Sequence, residues 1–192
     1  MDEPLIKPTD AGLIETKRNF LYSAGCAFEL TKWIIVLVIA LSLVHFFFAT
    51  IFIVDGVSMQ PNFESGEFII VNRWQYLFGE PKRGDVLVLK FPGDEEHKKY
   101  IKRLIGLPGE KVEITSGQVF INGQLLNEPY IPFETLPSMS RVLKNDEYFL
   151  MGDNRPNSSD SRIWGVANKR FLIGSAWFQI YPKIKVIDSV DY

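Results

Sequence analysis

The chain offers few side chains for metal-assisted or covalent catalysis. It contains two histidines and one cysteine, too few to converge as the ligands of a zinc site. Residues 79–84 lack the Gly-Lys-Ser/Thr ending of a phosphate-binding loop. His97 lies within a charged run, where we expect a solvated side chain rather than the base of a Ser-His-Asp triad. We therefore expect no metal and no cofactor, and the chemistry that remains is that of a serine paired with a lysine.

Ser58 and Lys102 are the candidates for such a pair. Ser58 lies in residues 55–61, Asp-Gly-Val-Ser-Met-Gln-Pro, and Lys102 lies in a β-rich segment. Apolar surroundings disfavour the ammonium form of a lysine and lower its pKa, so a buried Lys102 could act as a general base. The residues alone leave a second interpretation open, in which Lys102 is an ordinary strand lysine whose stem packs while its amine reaches water.

A long apolar stretch precedes Ser58. Residues 33–54 contain no Lys, Arg, Asp or Glu, and these 22 residues match the roughly 20 that a membrane-spanning helix needs. The run is longer than the core of a cleaved signal peptide. It also has no polar stripe, unlike most helices of soluble proteins. The sequence therefore predicts one transmembrane helix over residues 33–54.

The basic residues near this stretch predict its orientation. Lys17, Arg18 and Lys32 precede it, whereas the first basic residue after it is Arg73. Because Lys and Arg stay on the cytoplasmic side, we predict a cytoplasmic tail and lead-in over 1–32 and an extracytoplasmic domain over 55–192. The lipid bilayer of the cell (plasma or inner) membrane is thus an expected partner. The net charge of −2, spread without long blocks, argues against nucleic-acid binding.

The segment after the apolar stretch is predicted to be mostly β, as an antiparallel sandwich or barrel-like domain. Turn dipeptides at Ser116-Gly117 and Asn122-Gly123 suit tight hairpins, whereas 127–147, with three prolines, is predicted to be a loop. The only cysteine, Cys26, precedes the span, so no disulfide is expected in this domain. The predicted strands are 67–73, 85–91, 100–107, 111–115, 118–121, 148–151 and 172–181.

Four blocks of the sequence, in this order behind an apolar stretch, resemble bacterial type I signal peptidases (leader peptidases). They are residues 56–61 with Ser58, residues 83–86 (Arg-Gly-Asp-Val), residues 100–109 with Lys102, and residues 152–165, which begin Gly-Asp-Asn-Arg. The resemblance implies a membrane-bound serine endopeptidase with a β-rich catalytic domain. It implies removal of N-terminal signal peptides from exported preproteins after small residues. Ser58 would be the nucleophile, Lys102 the general base, and Ser158 the residue that orients the lysine.

The sequence departs from this family pattern at several positions. Gly56 stands where many members have a hydroxyl residue, as it does in the single-anchor members. Asn62 and Phe63 replace a more usual Thr-Leu, and Pro156 stands where Asp is common. With Gly56 in that place, the backbone N–H of Ser58 is our candidate donor to the oxyanion, and Gly56 would let the backbone or the substrate approach closely.

The remaining expectations concern the substrate and the scaffold. We expect the substrate to add as an extended strand beside the segments of Ser58 and Lys102. Its small side chains would enter shallow apolar pockets, and the candidate walls are Phe52, Val54, Met59, Phe63 and Ile101. We assign a structural ion-pairing role to the charged residues of the last block, Asp153, Arg155, Asp160 and Arg162.

Two alternative functions stay open. One is a related serine-lysine maturation peptidase with a dedicated substrate. The other is an inactive membrane-anchored β-domain that only binds exported peptides. The presence of both Ser58 and Lys102 favours an enzyme.

Overall fold

The structure, a computed structural model, describes residues 25, 27–43, 48–93, 96 and 98–190. These residues belong to two compact units, Met1–Phe46 and Phe47–Tyr192. In the first unit, residues 27–43 form helix α1, whose apolar side chains are exposed. Among the described residues, no helix has both the length and the apolar character that crossing a membrane requires. The predictions for residues 1–24, Cys26 and His97 lie outside the described residues.

The predicted helix over residues 33–54 is wrong at its C-terminal end. Residues 33–43 are helical, but Ala49–Ile53 form strand β1, which pairs antiparallel with β2 (Phe68–Asn72). The β-branched and aromatic residues of β1 suit a strand, and β2 supplies partners for its backbone groups. The β-rich unit therefore begins at Phe47 rather than at residue 55.

The β-rich unit contains two antiparallel sheets, in agreement with the mostly β prediction. The larger sheet has the strand order β1-β2-β11-β3-β4-β9-β10, with β12 paired to β11. Its further strands are β3 (Val86–Lys90), β4 (Lys99–Gly106), β9 (Glu147–Met151), β10 (Ala167–Asn168), β11 (Leu172–Tyr181) and β12 (Lys185–Val186). The helices are α2 (Trp74–Phe78), α3 (Ser161–Trp164) and the 3-10 turns Arg155–Asn157 and Lys169–Phe171.

The smaller sheet has the order β7-β6-β5-β8. Its strands are β5 (Lys111–Thr115), β6 (Gln118–Ile121), β7 (Gln124–Leu125) and β8 (Met139–Val142). Two tight turns connect β5 to β6 and β6 to β7. The first has φ 50° at Ser116 and 76° at Gly117, and the second has 51° at Asn122 and 82° at Gly123. These positive φ angles are those of the predicted Ser-Gly and Asn-Gly hairpins. Strand β8 corrects the prediction that residues 127–147 form only a loop.

Apolar residues at alternate strand positions build the core. In β2 the inward residues are Ile69 and Val71, and in β5 they are Val112 and Ile114. This alternation is what a half-buried strand requires. Met59 and Phe63 pack with the first pair, so the turn that carries Ser58 is fixed against the larger sheet.

Strand β4 has different neighbours along its two edges. On one edge, Lys99–Arg103 pair with β3, whereas on the other edge β9 pairs only from Arg103 onward. Within the part of the chain that the structure describes, residues 99–102 therefore have no strand partner on the β9 side of the sheet. This open edge includes the position of Lys102.

Candidate active site

Ser58 and Lys102 meet although 44 positions separate them in the chain. Strand β4 holds Lys102, and a turn of backbone bonds, from Gln60 N to Val57 O and from Phe63 N to Met59 O, holds Ser58. The Lys102 Nζ lies 2.7 Å from the Ser58 Oγ and donates to the Ile101 carbonyl oxygen at 3.0 Å. The structure thus brings the two predicted residues into direct hydrogen-bonding contact.

Lys102 is buried, and burial changes its acidity. The residue is only 3% exposed, and burial lowers the pKa of its ammonium to about 8. The negative charges of Asp160 and Asp153 oppose this shift, but desolvation outweighs them. The Tyr100 ring, 5.3 Å from the Nζ, covers part of the amine. A pKa near 8 makes a substantial neutral fraction available near neutral pH, as a general base requires.

An open cleft of about 190 Å³ contains this pair. Phe52 and Ile101 contribute apolar surface, as the sequence predicts for substrate-binding walls, and Gly56 lies at the same cleft. The other lining residues are Asp55, Val57, Ser58, Lys99, Tyr100, Lys102, Asn157 and Ser159. The cleft adjoins the open edge of β4, so an extended chain there would pass beside Ser58.

Three predicted walls are placed elsewhere. Val54, Met59 and Phe63 are 2%, 0% and 5% exposed and belong to the core cluster of the larger sheet, not to the lining of this cleft. In this structure they pack in the core, because the turn around Ser58 folds Met59 and Phe63 inward, and their role as substrate-binding walls stays a prediction. The sequence pattern could not distinguish an apolar wall of a pocket from an apolar core residue.

The segment that follows β9 supports the backbone of the Ser58 turn. The Asn154 backbone N–H donates to the Ser58 carbonyl oxygen, and its side-chain Nδ2 donates to the Val57 carbonyl oxygen, both at 3.0 Å. Gly152 lies against the same turn. A Cβ at Gly152 would overlap the Ser58 carbonyl oxygen and the Ser158 hydroxyl, so only glycine fits there.

The predicted ion-pairing residues are buried and paired, but two of them have partners that the sequence did not indicate. Asp160 and Arg162 pair with each other, with Nη2 to Oδ2 at 2.7 Å. Asp153 instead pairs with Arg103, the neighbour of Lys102, at 2.7 Å. Arg155 pairs with Glu128 at 2.5 Å, in the segment between β7 and β8. Each side chain of these three pairs is at most 8% exposed.

Ser158 does not make the predicted hydrogen bond to Lys102. Its hydroxyl is buried and has no hydrogen-bond partner among the described residues. Lys102 uses Ser58 and Ile101 instead. Ser158 nevertheless lies at the site, because its hydroxyl is one of the atoms that a Cβ at Gly152 would meet.

Gly56 has φ +90°, a conformation that favours glycine. Its N–H donates to the Ser65 hydroxyl at 3.2 Å. The Ser58 N–H, in contrast, donates to no described residue. No cluster of metal-binding side chains is present within the part of the chain that the structure describes.

Three residues of the site, Asn154, Glu128 and Arg103, were not predicted from the sequence. Asn154 and Arg103 lie inside two of the motif blocks, which was a usable signal, but motif membership does not say which backbone atoms a side chain contacts. Glu128 lies in the segment predicted as a loop, and nothing in its neighbourhood indicated Arg155 as a partner.

A serine hydroxyl in contact with a buried lysine amine, in a cleft beside an open strand edge, has the arrangement of a serine peptidase that uses a lysine base. Comparison with known proteins agrees with this class. A model of the family "Signal peptidase, peptidase S26" matches residues 27–181, so the chain belongs to this family of serine peptidases.

Individual relatives are similar over most of their length. Signal peptidase I S of Bacillus subtilis (strain 168) is 40% identical over 162 residues, which are 78% of this chain and 85% of the relative. Signal peptidase I of Bacillus amyloliquefaciens is 35% identical over 188 residues, 92% of this chain and 93% of the relative. The probable signal peptidase I-1 of Synechocystis sp. (strain ATCC 27184 / PCC 6803 / Kazusa) is 38% identical, with 77% and 79% of the two chains covered.

Proposed function

We propose that this protein removes N-terminal signal peptides from exported preproteins, cleaving after small residues, with Ser58 as nucleophile and Lys102 as general base. The observation that carries the proposal is the 2.7 Å contact between the Ser58 hydroxyl and the amine of a lysine that is only 3% exposed. Membership of the signal peptidase family and the names of the relatives support the choice of substrate.

The reaction begins with a proton transfer. Neutral Lys102 takes the Ser58 hydroxyl proton while the serine oxygen forms a bond to the scissile carbonyl carbon, whose π electrons move to its oxygen. The Lys102 ammonium then returns the proton to the leaving amine as the carbon–nitrogen bond breaks, which leaves an acyl-enzyme. A water molecule activated by neutral Lys102 attacks this ester, releases the peptide acid and restores Ser58.

The oxyanion of each tetrahedral intermediate needs fixed donors. The Ser58 backbone N–H is the candidate, because it donates to no described residue. The bonds from Asn154 to the Ser58 and Val57 carbonyls fix the two peptide groups on either side of Ser58. A donor that is fixed before the reaction is worth about 3 kcal/mol of transition-state stabilisation.

The substrate binds as an added strand along residues 99–102, the open edge of β4. Backbone bonds to a strand edge give affinity, and pockets for alternate side chains give selectivity. The cleft of about 190 Å³, with Phe52 and Ile101 in its lining, is the place where these side chains of the substrate would enter.

Ser158 is assigned the role of orienting Lys102. A neutral amine has two N–H donors and one lone pair. The Nζ donates to the Ile101 carbonyl oxygen, and when Lys102 acts as the base its lone pair must face the Ser58 hydroxyl, whose oxygen lies 2.7 Å away. In the proposed role, the second N–H donates to the Ser158 hydroxyl, which is buried and has no hydrogen-bond partner among the described residues. Such a bond would hold the lone pair on Ser58 throughout the reaction.

The chain is proposed to be held at a lipid bilayer, with residues 1–32 in the cytoplasm and the β-rich unit outside. The uncharged stretch that begins at Trp33 and the basic residues before it support this topology. Large apolar side chains of the β-rich unit, including Trp74, Phe78 and Trp177, are exposed and suit contact with a lipid interface.

The test uses the full chain in detergent with a purified preprotein. Ser58→Ala, Lys102→Ala and Lys102→Arg should each abolish cleavage, since alanine removes the group and arginine stays protonated. The exposed-site controls Ser140→Ala and Lys144→Ala should cleave like the unmodified protein. N-terminal sequencing of the product should identify a cut after a small residue.

Each other outcome has a distinct meaning. Full activity of Ser58→Ala or Lys102→Ala would exclude the pair as catalytic groups. Cleavage of only one precursor among many would indicate a dedicated maturation peptidase. Binding of precursors by the unmodified protein without any cleavage would indicate a peptide-binding domain.

A further inference from the structure

Asn62 makes side-chain hydrogen bonds that join three segments of the site. It lies four residues after Ser58, and its Nδ2 donates at 2.9 Å to the Asp153 Oδ2 and at 3.0 Å to the Tyr130 carbonyl oxygen. Both partners are acceptors only, so the amide nitrogen must face them. One NH₂ group thus links the turn of Ser58 to the segment after β9 and to the connection between β7 and β8.

The Asp153 carboxylate is the centre of this junction. Asp153 is fully buried, and Arg103 donates to its Oδ1 from Nε at 2.8 Å and to its Oδ2 from Nη2 at 2.7 Å. Arg103 also faces the Tyr130 ring, at 4.2 Å from its centroid. Because Arg103 follows Lys102 in β4, the carboxylate connects the strand of the lysine to Asn62 and so to the turn of the serine.

We propose that Asn62 is a positioning residue, whose two hydrogen bonds set the placement of Ser58 relative to Lys102. This inference rests on the proposed function of the pair. An amide suits the position because it offers two donors in one plane. A threonine, which the resemblance makes the more usual residue there, has a single hydroxyl donor and can satisfy only one of the two acceptors at a time. An aspartate would bring a second carboxylate against Asp153.

The kinetic test compares three substitutions with a matched control. Asn62→Leu keeps the approximate shape without donors and should lower kcat by about tenfold or more, with KM within about twofold, since a misplaced catalytic group costs up to about 10²-fold. Asn62→Asp should lower kcat further. The kcat of Asn62→Thr should lie between that of Asn62→Leu and that of the unmodified protein. Asn168→Leu, which removes an exposed amide bond to the Asp146 carbonyl oxygen, should leave both constants unchanged.

Measuring the folded fraction of each variant at the assay temperature distinguishes a positioning role of Asn62 from a purely structural one. A kcat of Asn62→Leu within twofold of the unmodified protein would overturn the proposal. So would a loss that equals the loss of folded protein, or an effect on KM alone.

A second measurement needs no catalytic activity. Amide hydrogen exchange should become at least about tenfold faster in Asn62→Leu at the Phe63 and Asn154 N–H groups, whose acceptors are Met59 O and Ser58 O. Exchange in the β5–β6 hairpin should not change. Unaltered exchange at Phe63 and Asn154 would overturn the positioning role, whereas failure of the unmodified protein to cleave preproteins would count against the proposed function alone.

Discussion

Lys102 combines two properties that rarely occur together in a lysine. Its amine is within hydrogen-bonding distance of a hydroxyl, and its surroundings favour the uncharged form. The Tyr100 ring and the Ile101 carbonyl oxygen lie against the amine, and its burial lowers the pKa, while Asp153 and Asp160 keep the pKa from falling further. The residue is therefore close to an even balance between its two protonation states in mildly alkaline solution.

This balance predicts the pH dependence of cleavage. Because only neutral Lys102 can accept the Ser58 proton, and its pKa lies at about 8, kcat/KM should rise about tenfold per pH unit below pH 8. Above that value the profile should level off. The measurement is a series of initial rates on a peptide substrate from pH 5 to pH 10, with the folded state checked at each point. A flat profile between pH 5 and pH 9 would contradict a lysine base.

At the scale of the elements, the irregularity of β4 near its end makes room for the smaller sheet. The register of β4 against β9 shifts between Leu104 and Gly106. A Cβ at Gly106 would lie 2.5 Å from Val112 Cγ2 and 2.8 Å from Leu143 Cδ1, both in the core of the smaller sheet. The absence of a side chain at Gly106 thus allows β4 to pass directly over these residues.

Gly106→Ala should therefore destabilise the protein. Overpacking of this kind costs about 1–3 kcal/mol in the free energy of unfolding, which denaturant titration can measure. Val112→Ala removes the nearest atom, so the double variant should lose less stability than the sum of the two single variants. Strict additivity would show that the predicted contact with Val112 does not cause the loss.

Most strands of the β-rich unit were predictable from sequence. Strands β5, β6 and β11 have the predicted bounds, β2, β3 and β4 differ by one residue at each end, and β9 differs by one residue at its start. Strand β1 was missed because an uncharged apolar run suits a helix and a strand equally well. Strand β8 was missed because three prolines in residues 127–147 favoured a loop for the whole segment, although four of its residues pair with β5.

The site was predictable only in part. Ser58, Lys102 and the charged residues of the last block carry recognisable motifs. The hydrogen bonds that hold these residues in place could not be predicted from local motifs. Asn62 bonds to Asp153 across 91 positions of the chain, and Asn154 bonds to Val57 across 97. Local patterns contain no information about such pairs, which depend on how the sheets fold together.

At the scale of the β-rich unit, the segment between β7 and β8 contacts the framework of the site at several points. Glu128 holds Arg155, and the carbonyl oxygens of Tyr130 and Leu136 accept bonds from Asn62 and Arg162. The Arg155 side chain is completely buried, and Thr135 also accepts a hydrogen bond from it. This segment between β7 and β8, which we call the strap, thus supplies both the carboxylate that neutralises the buried Arg155 and a further hydrogen-bond acceptor for it.

Glu128→Gln should test this arrangement. It leaves the buried Arg155 charge without its carboxylate, and breaking a buried pair in this way costs about 3 kcal/mol or more of unfolding free energy. The partly exposed pair of Lys111 and Glu113 provides the control: Glu113→Gln should cost less than about 1 kcal/mol. Equal and small losses in both variants would contradict the importance assigned to the strap.

The unpaired stretch of β4 has a consequence for the breadth of precursors that one enzyme can process. Apart from proline, which has no amide hydrogen, every residue offers the same backbone donor and acceptor, so the proposed docking along this edge is indifferent to most of the precursor's sequence. Discrimination is then confined to the few side chains that enter the cleft beside Ser58. One enzyme of this kind would accordingly process many unrelated precursors, provided that each has a flexible segment with small residues at the cleavage site.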